Sequence, residues 1–138
     1  MRTRMSAWLL TLLLGGSLLA ARPAHADNGV VAVGGEMLFT IRAASSGMSA
    51  PERAAAVTDR LAVILGAPTI SPEDIRLVPQ KDKTVMILVQ DRLLVTVTPE
   101  DGRPNGKTSR QQAETWARQL RQELPMINAR PNPTLRNP

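Results

Sequence analysis

The chain contains no cysteine among its 138 residues. This absence excludes disulfide bonds, thiol nucleophiles and the cysteine to which a lipoprotein anchor would be attached. Below about 40 residues a chain usually needs disulfide or metal staples to fold. This chain is much longer and 43% of its residues are hydrophobic, so we expect its stability to come from a hydrophobic core.

Histidine and aromatic residues are also scarce. The sequence has one histidine, no tyrosine and only 2% aromatic residues. Histidine is the general base suited to neutral pH and the commonest metal ligand, so a single copy leaves little room for either chemistry. Single-stranded nucleic acids are bound largely by stacking of bases on aromatic rings. With so few rings the chain offers no stacking platform.

The first 26 residues have the pattern of a secretory signal peptide. Arg2 and Arg4 form a positive segment, residues 7–21 form an apolar stretch, and Ala24-His25-Ala26 is a small-x-small cleavage motif. The alternative is an uncleaved membrane anchor, but a spanning helix needs about 20 mainly apolar residues, and this stretch is shorter and contains Gly15-Gly16. We predict cleavage after Ala26 and a periplasmic or secreted protein that does not itself span a membrane.

Cleavage also changes the charge of the protein. The full chain has 17 Lys and Arg against 12 Asp and Glu, a net charge of +5. Arg2, Arg4 and Arg22 leave with the leader, together with the sole histidine, so the mature protein has 14 basic residues against 12 acidic ones, a net +2. Nucleic-acid-binding domains usually carry a clustered basic footprint. We therefore predict no nucleic-acid partner.

The mature chain reads as one domain followed by a tail. Residues 27–127 are predicted to form a single α+β domain, of which residues 27–29 are expected to be a short mobile terminus. Residues 128–138 contain three prolines and no periodicity, which predicts a disordered proline-rich tail.

Five segments have the composition of strands, at residues 30–33, 37–41, 75–78, 84–89 and 93–98. Gly34-Gly35 separates the first two, as in a hairpin turn where glycine supplies a positive φ. Short polar segments separate the last three. We expect those three strands to form an antiparallel meander.

Two segments have helical periodicity. The first opens with Ser49 and Glu52 at capping-box spacing and stops at Gly66. The second opens at Ser109, with a glutamine three residues later for another capping box, and should end near Pro125 because proline cannot continue the hydrogen-bond ladder.

Residues 99–107 are expected to be a polar loop between the last strand and the second helix. The order of elements is therefore ββ-α-βββ-α. It predicts an α+β fold in which a small antiparallel sheet has two helices packed on one face.

Several short motifs carry a resemblance to a known family. They are Gly35-x-x-Leu38-Phe39-x-Ile41-Arg42, Ser49-x-x-Glu52-Arg53-Ala54 with Arg60-Leu61, residues 91–98 (DRLLVTVT) and Thr108-Ser109-Arg110. Across residues 30–124 the chain resembles the exported N-terminal domain found ahead of some small-conductance-type mechanosensitive channels, notably in cyanobacteria. The resemblance implies an accessory domain that associates with a membrane protein. Those channel proteins continue into transmembrane helices and a pore, whereas this sequence ends at Pro138, so it implies no channel activity.

Carboxylates, lysines and hydroxyls are what remain for catalysis in the mature chain. A glycosidase-like pair would need two carboxylates facing each other at about 5 to 9.5 Å. Glu73-Asp74 and Glu100-Asp101 are adjacent in sequence and are interpreted as cap and turn residues. Asp101 and Asn105 share a loop, but the EF-hand pattern is absent. We predict no catalytic residues, no metal site and no cofactor, and a carboxylate-based hydrolase is the weakest alternative.

Trp116 is the one aromatic residue with two readings. It lies on the predicted apolar face of the second helix, where tryptophan is usually a core residue, and the alternative is a partner contact formed with Arg118 and Arg121. The favoured function is a non-enzymatic exported accessory or interaction domain that binds a protein partner in the cell envelope, such as a mechanosensitive channel. The alternative is a periplasmic sensor of a small ligand or an ion.

Overall fold

The computed structural model describes residues 28–130 of the chain, so the predicted signal peptide at residues 1–26 lies outside the described range. The described residues confirm the α+β class. Their strands are β1 (Gly29–Val33), β2 (Glu36–Ile41), β3 (Ile75–Pro79), β4 (Val85–Val89) and β5 (Arg92–Val97). Their helices are α1 (Ala50–Ile64), the one-turn α2 (Pro99–Gly102) and α3 (Ser109–Ala129).

The strands divide into two antiparallel sheets rather than the single predicted sheet. β1 pairs only with β2, and β3, β4 and β5 form a meander in that order. Both long helices contact both sheets, and one cluster of buried apolar side chains includes residues from the hairpin, the meander and the two helices. Helix packing therefore joins the two sheets where the prediction assumed strand pairing.

The meander has two different faces. The side chains of Val85, Ile87 and Val89 in β4 are buried in the core. Successive side chains of a strand point to opposite faces, so Met86 and Leu88 point away from the helices, where they are only half-buried. We call this second side of the meander the outer face.

Both long helices begin with a capping box. In α1 the predicted box is confirmed, since the Ser49 N–H donates to the Glu52 carboxylate at 2.7 Å and the Glu52 N–H donates to the Ser49 hydroxyl at 3.4 Å. In α3 the box lies one residue earlier than predicted, with Thr108 as the N-cap and Gln111 three residues later. Ser109 is instead a buried first-turn residue whose hydroxyl donates to a backbone carbonyl in the β3–β4 turn.

The predicted end of α3 near Pro125 is wrong, because the helix continues to Ala129. Proline has no N–H to bond to the carbonyl four residues earlier. However, Leu124 is fully buried and Ile127 packs against the core. These contacts keep the last turn helical despite the missing hydrogen bond.

The last described residues are tied to the body of the domain. The Asn128 side chain donates to the carbonyls of Leu65 and Ala67 at 3.3 and 3.0 Å. Arg130 donates to the Glu36 carboxylate at 3.0 Å. Residues 128–130 therefore belong to the domain, and the tail predicted from residue 128 begins no earlier than residue 131, beyond the described range.

The predicted mobile terminus is also wrong at Gly29, which begins β1 and is buried. Here β1 passes so close to the start of α1 that a Cβ on Gly29 would lie 2.1 Å from the carbonyl oxygen of Ala50. Carbon and oxygen atoms that are not bonded do not approach so closely, so only glycine fits.

Candidate functional site: a groove beside β5

A groove of about 590 Å³ runs along β5 on the side that faces away from β4. Its walls come from α1, from the loop before α1, from β5 with the start of α2, and from the β3–β4 turn. The residues that line it include Met48, Arg53, Arg60, Leu93, Thr96 and Glu100.

A tight turn at one rim shapes the loop before α1. Ser45 and Met48 exchange two backbone hydrogen bonds of 3.0 Å each. Between them Ser46 and Gly47 both have positive φ, 54° and 76°, a conformation that glycine adopts readily and serine seldom does. The turn holds the Met48 side chain at the rim, where it remains 37% exposed.

A buried ion pair lies beneath the groove, and of its two members only Arg53 lines the groove. Both terminal nitrogens of Arg53 donate to the Asp101 carboxylate, each at 2.8 Å. The Arg53 side chain is 6% exposed and the Asp101 side chain 0%. A planar guanidinium matches a carboxylate in this two-bond geometry better than an ammonium group would.

Arg53 also binds two backbone carbonyls. It donates to the carbonyl of Ala43, in the loop before α1, at 2.6 Å and to the carbonyl of Thr96 in β5 at 3.1 Å. One side chain of α1 thus holds this loop, β5 and α2 together. Four hydrogen bonds offset much of the free energy lost when a charged group leaves water.

Asp101 has a second role as the cap of α2. Its carboxylate accepts the backbone N–H of Thr98 at 2.8 Å and the Thr98 hydroxyl at 3.1 Å. The segment predicted as a polar loop therefore begins with a helical turn, which continues as a 3₁₀ turn at Arg103–Asn105. The pattern Thr98-Pro99-Glu100-Asp101 is a capping-box sequence, so the signal for this turn was present in the sequence.

Arg60 lies two helical turns after Arg53 and contacts the other end of β5. It donates to the carbonyl of Leu94 at 2.9 Å. Unlike Arg53 it is exposed, and within residues 28–130 no acidic group forms an ion pair with it. A register shift between Ile87 and Leu88 in the β4–β5 ladder places Leu94 at an irregular position of the strand.

The groove has the chemistry of a binding surface. Arg60 offers N–H donors, Asp82 and Glu100 offer carboxylate acceptors, and hydroxyl groups and the apolar side chains of Met48 and Leu93 also line the groove. The pKa of Asp82 is below its ordinary value, chiefly because the Thr84 hydroxyl donates to it. Among the described residues no group of three or more His, Cys, Asp or Glu is placed to hold a metal ion.

The three predicted partner-contact residues of α3 lie in different environments. Trp116 is 5% exposed and stacks on Phe39 with ring centroids 4.5 Å apart. It is therefore a core residue in this structure, which agrees with the first of the two interpretations given for it. Arg121 is partly buried and donates to the carbonyl of Ile75 in β3 at 2.9 Å. Arg118 is exposed. None of the three lines the groove.

The two predicted cap pairs behave as cap residues. Asp74 accepts the backbone N–H of Ser71 at 2.8 Å, and this hydrogen bond is the main reason that its pKa lies below the ordinary value. Asp101 caps α2 as described, but its burial against Arg53 is a feature that the sequence did not indicate.

The sequence analysis did not predict the contacts of the two arginines of α1, Arg53 and Arg60. Arg53 occupies a position four residues before Val57, on the apolar stripe of the helix, and a charged residue on such a stripe is a sign of a buried pair. Its partner is 48 residues away, so spacing alone could not name it. Arg60 carries no comparable signal.

A family model described as a domain of unknown function (DUF8459) matches residues 30–126. The chain belongs to this family. No curated protein and no solved structure matches the chain. The DUF8459 match begins in β1 and ends in α3, so it includes every residue that lines the groove.

Proposed function

We propose that this DUF8459 domain is an exported, non-enzymatic interaction domain that binds a protein partner in the cell envelope, and that the outer face of the meander is its contact surface. The observation that carries the proposal is the apolar character of that face, which is described next.

The outer face carries four apolar side chains, and Arg76 and Thr96 lie on the same face as the partners of Leu88 and Met86. Val78 pairs with Met86, and Leu88 pairs with Leu93. Cross-strand partners lie on the same side of a sheet, and Met86 and Leu88 are two residues apart in β4, so all four share one face. None belongs to the core cluster or packs against it, and Leu93 is 37% exposed. Val78, Met86 and Leu88 are half-buried. Contiguous apolar patches at a surface mark interaction sites more often than isolated apolar residues do.

Two sequence features support an envelope location. The leader with its Ala24-His25-Ala26 motif predicts export, and the resemblance to the exported domain ahead of mechanosensitive channels suggests a membrane protein as the partner, such as a channel of that type. Both remain predictions. No helix in residues 28–130 combines the length and the apolar character needed to cross a membrane.

Site-specific photo-crosslinking in the producing cell tests the proposal. A photo-reactive amino acid is placed at Leu88, at the centre of the outer face, and in a second strain at Arg118, on the exposed side of α3. The two positions represent the competing contact surfaces, and both side chains are outside the core. Membrane and soluble envelope fractions are then analysed for adducts of the mature chain.

We expect one discrete adduct in the membrane fraction from the Leu88 position, and its loss when Met86→Lys is added in the same strand. Met86→Lys should leave the thermal unfolding midpoint within a few degrees of the parent, because Met86 does not pack in the core. An adduct from Arg118 alone would move the contact to α3 and overturn the assignment of the outer face. No adduct from either position would overturn the interaction function.

The groove supports a second candidate function, a periplasmic sensor of a small ligand or ion. Its volume of about 590 Å³ lies within the range of about 300–1,000 Å³ that is usual for ligand sites. A ligand at 100 times its Kd would stabilise the fold by about 2.7 kcal/mol, which a thermal-shift screen detects. A ligand whose effect disappears in Arg60→Met but persists in Arg118→Met would favour the sensor over the interaction domain.

A further inference from the structure

Strand β5 has the composition of a self-pairing strand. Residues 93–98 read LLVTVT, six residues with no charge, no proline and no glycine. Segments of this type, with high β-propensity and low charge, pair readily with other strands when their edge is open. Proteins usually protect an edge strand by placing a charge, a proline or a bulge in it. Between residues 93 and 98 of β5 the first two are absent, and the third is present as the register shift at Leu94.

Further protection of this edge comes from α1. Among residues 28–130, β5 pairs with β4 on one side and with no strand on the other. On that free side the carbonyl of Thr96 accepts from Arg53 and the carbonyl of Leu94 accepts from Arg60. Two acceptors that an added strand would use are therefore occupied by arginine side chains.

The two arginines differ in how firmly they are held. Arg53 is buried and bound to the Asp101 carboxylate by two hydrogen bonds. Arg60 is exposed, and its hydrogen bond to Leu94 is its one recorded contact of this kind within residues 28–130. Of the two arginines that bind the free edge of β5, Arg60 is thus the one that can be replaced without breaking the buried ion pair.

We propose that Arg60 closes the free edge of β5 against strand pairing, and that the partner it excludes is β5 of a second copy of this chain. Two identical strands can pair antiparallel about a twofold axis, because the same edge then serves both molecules. The uncharged sequence of residues 93–98 places no like charges opposite each other in such a pair. This inference concerns the edge of the meander and does not depend on the partner proposed for its outer face.

Sedimentation velocity of the mature protein, from about 5 to 200 μM, tests the inference. The variants are Arg60→Ala, Arg60→Met, which keeps an apolar stem along the groove but no donor, and Arg118→Ala as a control with the same change of charge on another exposed helix surface. We expect wild type and Arg118→Ala to remain monomeric. Both Arg60 variants should form a dimer in this concentration range. Their dimer dissociation constant should be at least roughly tenfold below that of the wild type, the equivalent of one hydrogen bond to a charged group.

Hydrogen exchange locates the new contact. In the Arg60 variants the amides of β5 should gain protection as the protein concentration rises, and adding Thr96→Lys should reverse dimerisation by placing like charges at the shared edge. The inference is overturned if both Arg60 variants stay monomeric with cooperative unfolding, if Arg118→Ala dimerises equally, if the dimer leaves β5 unprotected, or if the wild type already dimerises through β5.

Discussion

The two edges of the meander are protected by different means. At β3 the strand itself protects its edge with Pro79, which has no N–H to donate. The N–H of the neighbouring Gln80 donates to the carbonyl of Thr84. Because the backbone N–H groups of neighbouring residues point to opposite sides of a strand, the missing N–H of Pro79 is on the side away from β4. Arg121 of α3 adds a hydrogen bond to the carbonyl of Ile75. At β5 the strand contributes the irregularity at Leu94 but no charge or proline between residues 93 and 98, and the remaining cover comes from α1.

This difference shows that the protection of a strand edge can depend on tertiary packing. The β3 edge would keep its proline even if α3 shifted, whereas the β5 edge would lose its cover if α1 moved. The buried pair of Arg53 and Asp101 holds α1 against β5. We therefore expect the largest effects from changes at that pair, smaller ones from Arg121, and the smallest from the cap at the start of β3.

Arg53→Met should lower the free energy of unfolding by about 3–5 kcal/mol, because it leaves the Asp101 carboxylate buried without its partner. Asp101→Asn should have an effect in the same direction, since Arg53 then keeps its charge without a counterion. Urea denaturation measures both. The double variant Arg53→Met, Asp101→Leu should recover part of the loss, since replacing both charges by apolar groups removes the unpaired charge.

The matched control is the exposed pair Arg76–Asp91 at the β3 side of the sheet. Arg76→Ala should change the free energy of unfolding by at most about 1 kcal/mol, because exposed ion pairs are screened by solvent. If Arg53→Met costs no more than Arg76→Ala, the buried pair does not hold the β5 edge as described.

Arg121→Ala should lower the free energy of unfolding by about 1 kcal/mol, the usual net value of one hydrogen bond. The carbonyl of Ile75 would lose its donor but could bond to water, since Arg121 is only partly buried. The comparison variant is Arg118→Ala on the same helix, which should leave stability nearly unchanged. A loss at Arg118 as large as at Arg121 would show that helix propensity or charge, not the contact with β3, is responsible.

Acid should weaken the turn that leads into β3. The pKa of Asp74 in the folded protein lies below its ordinary 3.8, mainly because the Ser71 backbone N–H donates to the carboxylate. The Asp74 carboxylate therefore binds a proton more tightly in the unfolded chain than in the folded one. The stabilisation that the ionised carboxylate gives to the fold is complete above about pH 3.8 and is lost as the pH falls through the pKa of Asp74 in the folded protein. Urea midpoints between pH 2 and 7 should show wild type above Asp74→Asn at neutral pH and the two converging in acid. A difference that does not vary with pH would contradict this assignment.

Local elements of the fold could be predicted from the sequence because their signals lie within a few residues. The capping box of Ser49 and Glu52, the double glycine between β1 and β2 and the alternation of the later strands each specify their own element. The end of α3 could not, because Pro125 argues locally for a stop and only the contacts of Ile127 and Asn128 reverse it. The one-turn helix α2 was missed although Thr98 and Asp101 have capping-box spacing.

The candidate site was much less accessible to sequence reasoning. For Arg53 and Arg60 the sequence predicted no role in a site, and Asp101 was interpreted as a cap or turn residue. The outer face was visible in part, since β-strand alternation exposes one side of a meander. Whether helices cover both sides or only one depends on packing between segments that are far apart in the chain.

By itself the sequence determined the class of the fold, the order of its strands and long helices and the absence of cysteine chemistry, because composition and short-range spacing are sufficient for these. The tertiary structure alone decided that the strands form two sheets, that Gly29 must pass against Ala50, and that Arg53 and Asp101 meet in the core. It also decided that the uncharged part of β5 would be covered by arginines from α1. Such contacts join residues tens of positions apart, and whether they form depends on how the whole chain buries its apolar surface.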